Sequence, residues 1–331
     1  MTRKERVIAA LNHRQTDFAP YQIFYDGGAA DRFVKAFGEG FDREFGYHMH
    51  GWQLGWFYTD GLPENHYRDE CGSVFYTASG ASMLVKPPIE DIENHNYKFP
   101  PLDEKRLRRE LKAFLNSPDR QDKFTFIGGA PVYERASSLL GIENALCAMA
   151  ESPDALLELY DGIRRYNERR MDVMLEFDFD GFYIGDDWGS QRGLIMGAQN
   201  WRKYIKPVLA KMYKKAKDRG LYMIQHSCGG IFELFPDLIE IGLDCYQTVQ
   251  PECYDIQLLK DRYGEKITFW GGVSTQRLLH DANPKRVEAE SRKVLNVLGK
   301  NGGYIFAPTH CLSKDTSPEI LMALVNVMRN Q

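Results

Sequence analysis

The chain has 331 residues, with 42 Lys+Arg against 46 Asp+Glu and a formal net charge of −4. That balance excludes a domain built to neutralise phosphates, because nucleic-acid binding leaves a basic footprint. With 43% hydrophobic and 27% charged residues the composition is globular, which excludes a disordered chain.

No run approaches the roughly 20 apolar residues of a membrane helix. The first residues, MTRKERVI, alternate charge with apolar side chains and lack the apolar centre of a signal peptide. The expectation is a cytoplasmic protein with no membrane partner. Six cysteines are too sparse for a disulfide scaffold. In a reducing compartment, cysteines with a purpose serve as ligands or nucleophiles.

Residues 2–11 read as a short helix with Val7, Ile8 and Leu11 on one stripe. A strand is predicted at 20–25 and a helix at 29–37. The aromatic stretch 41–58 conceals a second strand. Residues 71–77 and 82–85, flanking Ala78-Ser79-Gly80-Ala81, read as a β-hairpin. It belongs to an insertion over 60–102 that prolines 87, 88, 100 and 101 punctuate. The remainder alternates regularly. Helices are predicted at 102–115, 133–150, 153–177, 198–219 (bent near Pro207), 231–241, 256–263, 284–298 and 317–329. Ser152 is expected to cap the helix at 153. Strands are predicted at 124–127, 181–185, 221–226, 243–249, 267–270 and 304–307.

The spacing of the late strands fits a strand plus a crossover helix each time. Eight βα units favour a single α/β domain over 1–331, a (β/α)8 TIM barrel with an N-terminal helix and an inserted β-hairpin. An open doubly wound sheet is disfavoured, since no Gly-x-Gly-x-x-Gly turn follows the first strand.

Active sites of such barrels lie at the C-terminal strand ends. There the chain carries Asp186-Asp187-Trp188, His226-Ser227-Cys228, Gln250, Gly271-Gly272 and His310-Cys311. His226 and Cys228, two apart in an extended segment, share a face. Cys311 sits at the matching point of the last strand. Imidazole with two thiolates prefers zinc and leaves a position open. Cys147, Cys245 and Cys253 read as buried small hydrophobes. Asp186 and Asp187 are candidates for catalysis, for a fourth ligand or for helix capping. His310 should point away from Cys311's side. Glu134-Arg135 reads equally as a structural ion pair or as a substrate contact. His48-Met49-His50 is a weaker metal candidate.

Residues 221–250 (LYMIQHSCGGIFELFPDLIEIGLDCYQTVQ), 186–193 (DDWGSQRG) and 304–318 (YIFAPTHCLSKDTSP) resemble the uroporphyrinogen decarboxylase/cobalamin methyltransferase superfamily. Residues 3–20 look like its opening helix and first strand. The resemblance implies a (β/α)8 barrel. Decarboxylases of this superfamily carry an arginine-rich loop after the first strand, whereas residues 20–28 here contain no Arg or Lys. The zinc methyltransferase branch is marked by His-x-Cys…Cys, which His226, Cys228 and Cys311 match. The resemblance thus implies Zn2+ and a corrinoid (cobalamin). Because the Asp-x-His-x-x-Gly cobalamin signature is absent, the corrinoid is expected on a partner protein. The small-molecule substrate is either a methyl donor or a thiol acceptor of the coenzyme M type. Aromatic candidates for its pocket (Tyr25, Tyr183 and Trp188, with Gln250 as a hydrogen-bonding partner) favour a methoxylated aromatic ether and O-demethylation. A metallohydrolase using the same rim is the remaining alternative.

Overall fold

The computed structural model describes residues 1–78, 81–280 and 283–331. Seven strands form one parallel sheet in sequence order: β1 (Met49–Gln53), β2 (Phe124–Gly128), β3 (Gly181–Gly185), β4 (Tyr222–His226), β5 (Cys245–Val249), β6 (Thr268–Val273) and β7 (Tyr304–Pro308). Apart from β1, they are short apolar runs buried nearly throughout, as strands covered on both faces must be.

Residues 20–25, expected as the first strand, close the ring without forming a regular one. The Phe306 N–H donates to Pro20 O and the Gln22 N–H to Phe306 O, while on the other side the His48 N–H donates to Tyr21 O. Beyond Tyr21 the main-chain ladder to β1 stops, because the Gln22 side-chain Oε1 takes the Met49 N–H instead. Only two isolated bridges, Tyr21 to Phe306 and Tyr25 to Leu312, mark this stave.

The opening helix, Arg3–Leu11, is capped by a reciprocal Thr2–Glu5 box. Its Val7 and Leu11 pack with Met49, Phe124, Ile224 and Ile305 inside the barrel. The helix therefore stoppers the N-terminal end. A second apolar layer fills the space between strands and outer helices.

Several predicted boundaries shift for identifiable reasons. The helix predicted over 133–150 breaks at Gly141 (φ 88°) into Tyr133–Leu140 and Ile142–Glu151. The expected bend near Pro207 is a π turn, Trp201–Ile205, just before the helix Lys206–Lys217. Ser152 precedes its helix, but its hydroxyl donates to Glu93 and makes no cap. Gly271 and Gly272 lie inside β6, not in a turn after it. A Cβ on Gly271 would meet Thr248 Oγ1 at 2.5 Å, so the close approach of β5 requires glycine there.

The insertion is larger than a hairpin. Phe57–Tyr58, His66–Asp69, Val74–Ala78 and Ala81–Lys86 form a four-stranded antiparallel sheet, of which the expected hairpin is the last pair. The turn residues Ser79 and Gly80 lie outside the described residues. Buried Arg135 holds this sheet to the barrel, donating to Asp69 at 2.5 Å and Glu70 at 2.8 Å. Among the described residues no helix is long and apolar enough to cross a membrane.

Replacing Arg135 with Ala would leave Asp69 buried without its ion-pair partner and Glu70 with Arg170 alone, at 3.4 Å. A loss of about 3–5 kcal/mol is expected, read as a lower urea midpoint. An unchanged midpoint would show that these ion pairs do not hold the insertion.

Candidate metal centre

Two loops build the site, and each holds the other. After β3 the chain runs Asp186-Asp187-Trp188-Gly189, and after β4 Ser227-Cys228-Gly229. The Trp188 N–H donates to Ser227 Oγ at 2.9 Å, and the Cys228 N–H donates to Asp187 Oδ1 at 2.8 Å. The backbones of Gly189 and Gly229 nearly touch. A Cβ on Gly229, whose φ is +74°, would lie 2.2 Å from the Gly189 carbonyl carbon.

This clamp gathers three ligand atoms. His226 Nε2 lies 3.5 Å from Cys228 Sγ and 3.2 Å from Asp187 Oδ1, and all three atoms fall within 4.8 Å of one another. A tetrahedral zinc with nitrogen at about 2.0 Å and sulfur at about 2.3 Å separates those two ligands by about 3.5 Å. The donor set therefore fits such an ion. His226 Nδ1 is held by Gln247 Oε1, which also accepts from the Tyr183 hydroxyl at 3.3 Å. An imidazole anchored through one nitrogen presents the other in a fixed direction. Burial disfavours the charged form of His226, but Tyr183, Asp187 and Cys228 outweigh it and raise its pKa. Burial likewise pushes against Asp187 ionising, yet the bond to His226 holds its carboxyl at about 2. A metal ion must displace the Nε2 proton, so uptake releases protons.

Cys311 is not in this compact trio. It lines the adjoining cavity of about 350 Å³ together with His226, Tyr25 and Tyr183, and burial raises its thiol. His310, expected to turn away, lines the same cavity with its ring 6.3 Å from that of His226. Tyr183 stacks near His226 at 6.2 Å, and the Tyr25 hydroxyl bonds to that of Tyr47.

Three expected site residues build the walls and do not face the cavity. Asp186, read as catalytic, is fully buried. Its carboxylate accepts the N–H groups of Val132, Tyr133 and Glu134 at 2.8–3.1 Å and the Trp188 indole N–H at 2.7 Å. It thus caps the helix Tyr133–Leu140. Trp188 is fully buried against Trp201, and Gln250 accepts the Gly229 N–H. His48 and His50 do not converge, since His48 meets Arg6 and His50 stacks on Phe114. Cys245 is buried as expected, whereas Cys147 is exposed and Cys253 half-buried.

Sequence reading missed Gln247 and left Glu134 undecided. Gln247 shares a strand face with Cys245, which packs inside the barrel, so strand alternation signals it. Arg135 is committed to the insertion, while Glu134 lines a second cavity of about 440 Å³ with Asp187, His226 and His310. Burial, then the charges of Asp186 and Asp187, raise the Glu134 carboxyl. Burial raises Asp186 too, but its four N–H donors favour the ionised form, so the proton rests on Glu134.

A family model described as uroporphyrinogen decarboxylase (URO-D) matches residues 73–331. The uroporphyrinogen decarboxylase of Magnetococcus marinus is 21% identical over 276 residues, 77% of this chain and 72% of that one. That of Dechloromonas aromatica is 29% identical over 150 residues, 44% of this chain and 40% of that one. Among solved structures, a methyltransferase from Methanosarcina mazei superposes with a TM-score of 0.73 at 18% identity, covering 100% of this chain and 99% of its own.

A carboxyl raised on folding stabilises the protein fully below the unfolded carboxyl range, and that stability is lost as pH rises through the raised value. Glu134→Gln is therefore expected to flatten the fall in urea-unfolding stability between about pH 5 and pH 8. An unaltered pH profile would place the proton elsewhere.

Proposed function

The chain belongs to the uroporphyrinogen decarboxylase family, and within that family we propose that it moves a methyl group between a small substrate and the cobalt of a corrinoid carried by a partner protein. The observation that carries this reading is the His226–Cys228–Asp187 donor cluster, whose His226 lines an aromatic cavity. Its decarboxylase relatives bear a name that implies a polyanionic tetrapyrrole. Among the described residues no Lys or Arg lines this cavity; Arg135 in the cavity that shares His226 is taken by Asp69 and Glu70, and Arg3, Arg43 and Lys123 line a third cavity of about 700 Å³, together with Asp42 and Asp119. Several unpaired carboxylates would be desolvated in the aromatic cavity without counter-charge. The name of the superposed Methanosarcina mazei protein, methyltransferase, agrees with the alternative.

His226 and Cys228 would hold a zinc ion, with Cys311 as the third ligand and Asp187 as the neighbouring carboxylate. When bound, zinc supplies a Lewis acid that favours the charge-bearing form of an oxygen or sulfur. The chain's own residues do the rest. Gln247 fixes the His226 ring. Phe24, Phe126 and Trp270 wall the cavity and exclude water from a methoxylated ring. Glu134 holds a proton beside Asp187 and His226 that an oxygen losing its methyl group can take.

Purified protein is expected to carry about one zinc per chain, lost in Cys228→Ser and Cys311→Ser. Zinc retained in Cys311→Ser but lost in Asp187→Asn would exchange their roles. Mixing the protein with cobalt(I) cobalamin and methoxylated benzenes should produce the methyl-cobalt absorption spectrum. Transfer only from methyl-cobalt to a thiol would reverse the direction proposed.

A further inference from the structure

We infer that the aromatic cavity selects an uncharged ring, whose polar substituents are read by the side-chain amides of Gln53 and Gln247. This deepens the methyl-transfer reading and rests on it. The cavity holds about 350 Å³, enough for one substituted ring. Among the described residues its lining contains no Lys, Arg, Asp or Glu. A ring-borne carboxylate would lose its water and, away from the imidazole of His226 and the metal proposed on it, meet no cationic side chain in the lining. Across His226 from it stands the Asp187 carboxyl group, whose Oδ1 lies 3.2 Å from Nε2.

The polar groups present suit neutral partners. Three glutamines line the cavity, and they differ in what they have free. Gln22 is spent on the fold, its Oε1 taken by the Met49 N–H and its Nε2 by Ile23 O. Gln247 uses Oε1 for His226 and Tyr183, which leaves its NH2 as a donor without a partner among the described hydrogen bonds. Gln53, at the end of β1, is exposed, and no hydrogen bond of its side chain occurs among those described. It stands on the partition between the two cavities, with Tyr183, His226 and His310. An amide both donates and accepts, so it matches a hydroxyl, ether or carboxamide, whereas a carboxylate calls for donors and positive charge.

The test is isothermal titration calorimetry of the full chain with 3-methoxybenzamide and 3-methoxybenzoate, near-isosteres that differ in charge. The amide is expected to bind at least about tenfold tighter. Gln53→Arg should close that gap by tightening the benzoate, and Gln53→Leu should weaken the amide. Gln53 is exposed, so neither change disturbs the core. Equal or tighter binding of benzoate to the unaltered protein overturns the inference, as does heat from neither ligand. Unchanged discrimination in Gln53→Arg removes Gln53 as a reader. Selective binding of the amide with no methyl-cobalt formed from it would sink the methyl-transfer reading and leave this inference standing.

Discussion

One buried carboxylate organises the mouth of this barrel. Asp186 has no exposure to water, and a charge so placed is tolerated only if hydrogen bonds replace its hydration. Three of those bonds come from the first turn of the helix Tyr133–Leu140 and one from Trp188. The bonds fix the angle at which that helix meets the end of β3. Glu134 and Arg135 follow in the same turn. Glu134 is thereby brought to the second cavity, and Arg135 reaches the insertion. The residue that looked catalytic is the one that positions others.

Electrostatically the site is divided. On one side of His226 lies an aromatic chamber whose described lining contains no acidic or strongly basic side chain. On the other lies a chamber with Asp69, Glu70, Glu134, Arg135 and Asp187. His226 belongs to both, held by Gln247 from the strand side and by Asp187 from the loop side. Ligand donors, proton carriers and apolar walls thus meet at a single imidazole. A metal held there, as proposed, would stand between the aromatic chamber and the protonated carboxyl of Glu134.

Much of this was legible in the sequence, and the misses have physical causes. The alternation of apolar runs with helical patterns located the barrel strands, because each parallel strand must be covered on both faces. The shared face of His226 and Cys228 followed from a period of two. That period stops at the strand end, where the chain curls. Trp188, expected in the pocket as an aromatic, and Gln250, expected there as a strand-end residue, stand beyond that point, and their loops turn them back into the wall. Gln247 was hidden by the opposite habit, since mid-strand positions are ordinarily read as core. The helix break at Gly141 was missed because one glycine within a helical pattern is tolerable on its own. The polar strand His66–Asp69 has too little alternation to announce itself.

The seam between residues 20–25 and β1 has a mechanical meaning. Six neighbouring pairs of strands are joined by main-chain ladders, whereas this joint relies on the His48 N–H to Tyr21 O bond and one glutamine side chain. A hoop yields first at its least fastened joint, and segments with few main-chain bonds open at the lowest cost. Phe24 and Tyr25 ride on that stave and wall the aromatic chamber. The bore of the chamber is therefore set by a stave that hangs from one edge, its Phe24 and Tyr25 fastened to Leu312 and not to β1.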